Sequence, residues 1–227
     1  MLQRIAALTA ALLFATAAQA LDLNSLSNKD AVGGLKEALT QGAGSAVGLL
    51  GKTDGFLGNP KVKIPLPDNL QKVEGLVRSF GGAKYVDELE TTMNRAAEAA
   101  VPEAKALLVN AIKTMSVEDA KGILSGGDDA ATQYFRRTTA GPLGEKFKPI
   151  VKKAMAKVKL ADKYDEFAGK AAKFGLVKES DAHLDNYITA KALDGLYLMM
   201  AEQEKAIRQD PVSAAGGLAK KVFGLMR

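Results

Sequence analysis

The 227-residue sequence predicts an all-α fold: a multi-helix bundle around a long, buried C-terminal helix, with one extended Pro-rich arm able to form half of a small β-ribbon. Apolar residues recur at three- and four-residue spacing along nearly the whole chain, as in helices with one buried face. Period-two alternation occurs once, in a segment too rich in Pro and Gly to be helical. Hydrophobic residues make up 47% of the chain but aromatic residues only 6%, with Trp 0, so close alanine-lined helix contacts must supply much of the packing.

Residues 1–20, MLQRIAALTAALLFATAAQA, carry one cation, Arg4, then an uncharged apolar run and the small-x-small end Ala18-Gln19-Ala20. That is the pattern of a signal peptide cut after Ala20. The run is shorter than the ~20 residues of a spanning helix, and no transmembrane segment is expected in the mature chain. A soluble protein of a bacterial periplasm follows. Cys 0 leaves no disulfide, no thiolate metal site and no lipid anchor on a mature N-terminal cysteine. The formal charge of +5, from 31 Lys+Arg against 26 Asp+Glu, falls by one with Arg4. So mild an excess permits anionic surfaces but does not by itself argue for nucleic acid.

Residues 21–52 read as a glycine-rich N-terminal amphipathic helix and 53–227 as a single helical domain. In AVGGLKEALTQGAGSAVGLLGK, Gly33, Gly34, Gly42, Gly44 and Gly48 each cost roughly 1 kcal/mol against alanine. The helix is therefore thin and mobile and packs on the domain or, through the close pair Gly44 and Gly48, associates with a partner. In the arm, TDGFLGNPKVKIPLPDN, Val62, Ile64 and Leu66 alternate with polar or proline positions. Ile64 and Leu66 are expected to be buried, because an exposed alternating edge invites association.

Val86, Leu89, Met93, Ala96 and Ala100 form a helix seam, and Pro102 starts a second helix carrying Leu107, Leu108, Ala111, Ile112 and Met115. Ser116-Val117-Glu118-Asp119 is a capping box opening a short helix that Gly126 ends. Asp128 is the expected N-cap of the helix in DDAATQYFRR. Phe147, Ile150, Val151, Ala154, Met155 and Val158 share a face of the next long element, which Pro149 kinks or begins. The longest helix is expected from about His183 to Gln209, capped by Ser180 or Asp181 and stopped before Asp210-Pro211. Its middle, Leu193 to Met200, is apolar on most faces and marks it as the central helix.

Certain blocks in this order, DGFLGNP with KIPLP, MNRAAEAAVPEA, SVEDAKGIL, DDAATQYFR, FKPIV, LDNYITAKALDGLY, IRQDP and KKVFG, resemble domain-of-unknown-function family 4197 across essentially the whole mature chain. The resemblance implies an α-helical exported domain and carries no activity with it. Some relatives resemble lipoproteins; this chain departs from them in lacking the lipobox cysteine.

The best candidate site lies in SGGDDAATQYFRRTT. Helical geometry puts Asp129, Thr132, Gln133 and Arg136 on one face, and Ala131, Tyr134, Phe135 and Thr138 on the other. The plainest reading is a capped helix with a solvated polar stripe. The alternatives are a buried ion pair of Arg136 with a carboxylate of another helix, or a site where Arg136, Gln133 and the helix N-terminus meet an anionic or carbonyl group. On either alternative, loss of Arg136 costs more than ~2 kcal/mol and loss of Arg137 almost nothing. Asp87, Asn94 and Glu98 form a polar stripe that faces water or meets this one across a cleft, with Glu98 as the acid. Glu204, at the flank of the stripe Leu193, Leu196, Tyr197, Met200 and Ile207, is a candidate buried carboxylate.

Catalytic machinery is sparse. The single histidine, His183, has no nucleophile context, and no phosphate loop, EF-hand or dinucleotide fingerprint occurs. No metal or cofactor is expected. From Glu145 to Lys178 there are ten lysines against four acids, and Lys148, Lys152, Lys153, Lys157 and Lys159 lie opposite Phe147 and Ile150. This is a solvated face or a contact for anionic lipid or another polyanion. The expected function is non-enzymatic binding of an amphiphilic or anionic small ligand, in a cavity beside the C-terminal helix, or of an envelope surface. The alternatives are an envelope scaffold without ligand and a carboxylate hydrolase of envelope polymers using Glu98 or Asp129. Specific nucleic-acid binding is not expected.

Overall fold

The computed structural model describes residues 28–175, 178 and 182–210. The leader expected at 1–20, the cap expected at Ser180 or Asp181 and the stop expected at Pro211 fall outside them. The regular structure of the described chain is all helical: α1 (Asn28–Leu50), α2 (Asp68–Val77), α3 (Ala83–Ala100), α4 (Ala104–Thr114), α5 (Val117–Ser125), α6 (Ala130–Met155), α7 (Lys159–Ala172) and α8 (Leu184–Gln209). No strand occurs among the described residues.

Helix α8 has the central position expected of it and packs against α6, α1, α3 and α7. Leu184, Ile188, Ala192, Leu196, Tyr197 and Met200 are all buried along it. Helices α6 and α8 run antiparallel, since Thr132, Thr139 and Gly144 meet Glu204, Tyr197 and Leu193 in turn. Leu35, Leu39, Val47 and Leu50 bring α1 into the same core.

The two elements expected within residues 128–158 are one helix. Helix α6 continues for 26 residues through Pro142 and Pro149, as long as α8. A proline inside a helix removes an amide and crowds the preceding turn, at ~3 kcal/mol or more. Here every fourth residue from Ala131 through Phe135, Thr139, Leu143, Phe147 and Val151 to Met155 is buried. This unbroken i,i+4 ridge is what packs into a neighbouring helix, and its burial outweighs the proline penalty. The short helix α5 has the capping box as expected: the Asp119 amide donates to Ser116 Oγ at 3.0 Å, and the Asp119 carboxylate accepts from Ser116.

Between α1 and α2 the arm keeps its alternation, with Val62, Ile64 and Leu66 buried as expected and Lys61, Lys63 and Pro65 exposed. Its hydrogen-bonding partner is a side chain rather than a second strand. The Ile64 amide donates to Asn94 Oδ1 at 2.8 Å, and Asn94 Nδ2 donates to the Ile64 carbonyl at 2.9 Å, so one asparagine stands in for a neighbouring strand. Tyr187 Oη donates to the Pro65 carbonyl and ties the arm to α8.

Gly195 lets α8 approach this closely. A Cβ there would lie 2.7 Å from Cε1 of the buried Phe56 ring and 3.3 Å from Val62 Cβ. Gly195→Ala is therefore expected to lower stability by ~1–3 kcal/mol. Gly48, with open space around it, behaves oppositely: Gly48→Ala should raise stability by up to ~1 kcal/mol, with no change in sedimentation. Chemical unfolding and sedimentation of both variants check the pair. Weaker self-association of Gly48→Ala would instead revive the partner-helix reading.

Candidate functional site

The strongest polar constellation joins Glu204 of α8 to the start of α6. Glu204 Oε1 accepts the Ala131 amide at 2.9 Å, and Oε2 accepts the Thr132 amide and the Thr132 hydroxyl, both at 2.9 Å. Arg208, one turn further along α8, donates to Oε1 from Nη2 at 2.8 Å and from Nε at 3.2 Å, and its Nη2 also reaches the Ile123 carbonyl at the end of α5. The carboxylate and the guanidinium retain only 6% and 11% of their side-chain exposure.

The first amides of a helix lack an intrahelical acceptor and carry the positive end of its dipole. Glu204 satisfies them from another helix, so α6 is capped in trans. The expected cap, Asp128, is not used: the N-cap position is Asp129, whose side chain bonds no backbone amide of the helix start. Both aspartates are exposed, whereas the amides face α8, where a residue of that helix reaches them.

The structure brings Thr132 and Glu204 together and disperses the rest of the expected site. Asp129 and Gln133 pair with each other on the exposed side at 2.9 Å. Arg136 meets neither Glu98 nor any buried acid. It pairs with Asp194 at 3.0 Å, with 47% and 58% of the two side chains exposed, and lies over the Tyr197 ring at 4.8 Å from its centre. Arg137 is more exposed still, over Tyr134. Beneath Arg136, the buried Tyr197 hydroxyl contacts Thr139 Oγ1 at 2.9 Å, and burial pushes that hydroxyl above its ordinary pKa.

Asn94 and Glu98 do not face α6 across a cleft, and they are not solvated. Both are buried and hold the arm. Glu98 Oε1 accepts the Phe56 and Leu57 amides at 3.0 and 3.1 Å, while its Oε2 accepts from Arg95 at 2.7 Å. Arg95 reaches on to Asp54, and the bonds to Glu98 and Asp54 hold its pKa above the ordinary value. Asp87, the third member of that stripe, is exposed and pairs with Arg78.

His183 takes the N-cap position of α8 without a side-chain cap bond, and Asp165 of α7 accepts the Leu184 amide at 2.9 Å. This is a second cap supplied in trans. Desolvation raises the Asp165 pKa, against the lowering effects of the Leu184 amide and His183, and Asp185 and Asp162 raise it further. Arg95 and Arg208 were legible as i,i+3 and i,i+4 partners of Glu98 and Glu204; nothing in the sequence points to Asp165.

Two hollows adjoin α8. One, between α1, α6 and α8 beside Leu39, Phe135, Met200 and Glu204, measures ≈ 20 Å³, room for about one water. The other is an open groove of ≈ 200 Å³ between the arm and α8, bordered by Lys61, Lys63, Lys191 and Asp194. Among the described residues no group of three or more His, Cys, Asp or Glu side chains could hold a metal ion, and no helix is long and apolar enough to cross a membrane. Lys148, Lys152, Lys153, Lys157 and Lys159 are all exposed, and none makes an ion pair among the described residues.

Residues 25–224 match the family model described as Protein of unknown function (DUF4197). The chain belongs to this family. No curated protein and no solved structure matches it. In this DUF4197 member Glu98 clamps the arm and Glu204 the start of α6.

Glu204→Ala is expected to cost ~3–5 kcal/mol, since it removes the acceptor of two helix-start amides and the carboxylate that Arg208 is bonded to, and Glu204→Gln on the order of 2 kcal/mol. Arg136→Ala and Arg137→Ala should each cost within ~1 kcal/mol, which removes the contrast expected from the sequence. Urea unfolding of the four variants measures this. A pH series tests Asp165. Its raised pKa favours folding below the unfolded value of ~3.9, and that contribution is lost as pH rises through the folded value. Asp165→Asn, which keeps an acceptor for Leu184, should therefore gain stability relative to wild type as pH rises above ~4.

Proposed function

We propose that this DUF4197 chain is a non-enzymatic protein of the bacterial envelope, exported to the periplasm with removal of residues 1–20, which docks on an anionic surface through its lysine face. The observation that carries this reading is the set Lys148, Lys152, Lys153, Lys157 and Lys159, exposed at the end of α6 and the start of α7 without ion pairs among the described residues. Lys152 and Lys153 also lie in the last turn of α6, where the helix dipole favours cations. The remaining lysines there have no such structural use, and each cation near an anionic surface contributes ~1 kcal/mol to attraction.

The occupied carboxylates favour a binding role over hydrolysis. Glu98 and Glu204 already accept backbone amides and an arginine, so neither is poised to move a proton at an open cleft. On a hydrolase mechanism, Glu98→Gln would abolish turnover and spare the fold; the present reading expects the arm to loosen instead.

A second reading, capture of a small anion, is favoured by the groove beside the arm. Its cations are less available, because Lys61 pairs with Glu202 and Lys63 with Glu90. The ≈ 20 Å³ cavity under α8 is too small for a metabolite.

Sedimentation with phosphatidylglycerol vesicles tests the docking. Binding should be strong at low salt, fade as the Debye length falls below ~8 Å, and be absent on phosphatidylcholine alone. Lys152→Glu with Lys153→Glu should weaken it at least about tenfold. Equal binding to the two lipids would contradict the reading.

A further inference from the structure

Helix α2 is held loosely. Among the described helices of eight or more residues it alone contains no buried residue. Leu70 and Val77, both half-buried, form its side of a hollow of ≈ 20 Å³, whose floor is Leu66 of the arm, Val86 and Leu89 of α3 and Leu160 of α7. Leu66, Val86 and Leu89 are buried beneath it. Val73 and Leu76, the remaining apolar side chains of α2, are exposed, so the helix has no third apolar anchor.

Both ends of α2 have the character of hinges, which are a few residues at element ends that absorb changes of φ and ψ. Asn94 fixes Ile64 and Tyr187 fixes the Pro65 carbonyl, so the arm is anchored as far as Pro65. Helix α2 starts three residues later, after Pro67, with no side-chain cap. At its far end the π-helical turn Arg78–Gly82 departs from helical geometry at Phe80 (φ −90°, ψ 19°) and at Gly81 (φ 82°) before α3 begins. Gly81 lies in the left-handed region, where the absence of a side chain leaves the backbone free to turn.

A polar link joins the end of α2 to α3. Arg78 bonds Glu74 of α2 and Asp87 of α3, each at 2.8 Å. The Arg78, Glu74 and Asp87 side chains keep 35%, 33% and 64% of their exposure, so water and salt weaken the link. Gln71 Nε2 donates to the Leu66 carbonyl, a contact local to the first hinge. The buried clamps at Glu98 and Glu204 act elsewhere, on the arm at Phe56 and Leu57 and on the start of α6.

We propose that α2 is a lid that swings on Pro67 and on Gly81-Gly82, with Arg78 as its latch, and uncovers Leu66, Val86, Leu89 and Leu160 while the rest of the bundle stays folded. Opening releases two half-buried aliphatic side chains and one exposed ion pair, whereas unfolding the bundle breaks the buried core and both carboxylate clamps. An element held by so little opens well before the whole protein does. The lid goes beyond the docking reading and does not depend on it.

With Cys 0 in the sequence, one introduced thiol reports the opening. Val86→Cys, a small change of volume, places it under the lid. Val101→Cys, at a buried position about 22 Å away beyond the other end of α3, is the control. In the full chain, below the urea unfolding transition, a small thiol reagent should label the first variant at least about tenfold faster than the second. The faster rate should change little with urea, because lid opening exposes little surface. Adding Arg78→Gln should speed labelling at position 86 about threefold and leave position 101 unchanged. Loss of a nearby cation acts on the thiol in the opposite sense, since it disfavours the reactive thiolate. Equal labelling of the two variants with the same dependence on urea would overturn the lid, because exposure at position 86 would then require global unfolding. If Val86→Cys does not fold, amide exchange in the wild-type chain decides: α2 amides exchanging through one shared opening that is insensitive to urea would support the lid, and α2 amides as protected as those of Leu89 and Met93 would overturn it.

Discussion

The fold depends on one buried carboxylate. Glu204 takes the first amides of α6, the Thr132 hydroxyl and two bonds from Arg208 within a space that is almost closed to water. An ionised carboxylate there would be costly without partners, and helix-start amides there would be costly without an acceptor; each removes the other's penalty. The bond fixes where α6 begins relative to α8, and the register of the antiparallel pair follows from it: Tyr197 beneath Thr139, and Gly144 beside Leu193. Arg208 extends the same anchor to the Ile123 carbonyl near the end of α5.

The same chemistry recurs at the arm and at the start of α8. Glu98 takes the amides of Phe56 and Leu57, Asn94 brackets Ile64, and Asp165 takes the first amide of α8. Buried amides need acceptors, and a cysteine-free chain poor in large rings has few other means of fixing irregular backbone. These side chains hold the arm and the helix starts in place, and that occupation removes them as candidates for binding or catalysis. Among the described residues, the lysine face of α6 and α7 has no such structural task and stays on the outside. The division of labour is physical, because a group already saturated with hydrogen bonds has no capacity left for a ligand.

Much of the fold was legible from the sequence because it rests on periodic burial. The seams of α3, α4 and α8, the capping box at Ser116 and Asp119 and the alternation of Val62, Ile64 and Leu66 are local patterns with one structural solution. The continuity of α6 was obscured by Pro142 and Pro149, whose local preference is overridden by a ridge of buried residues on both sides of each. Helix α2 was obscured by Gly75 and by Gly81-Gly82, and by an apolar pattern with no buried face to satisfy. For the candidate site, Glu204 stood out as a carboxylate at the flank of an apolar stripe, whereas Asn94, Glu98 and Thr132 read as members of polar stripes; all four are buried. Their partners were not legible, since Glu204 and Thr132 are 72 residues apart and only the antiparallel packing brings them together. Arg136 stood out for its neighbours in sequence, and the acid it meets, Asp194, comes from the exposed side of α8.

The trans cap at Glu204 is best tested by amide hydrogen exchange at Ala131 and Thr132. These amides begin a helix, a position that ordinarily frays and exchanges quickly. If Glu204 holds them, they exchange only through global unfolding, with the protection of the core amides of α8, and Glu204→Ala makes them fast under conditions where the protein stays folded. Exchange at Ala131 and Thr132 in the wild-type protein as rapid as at the exposed start of α2 would contradict the account.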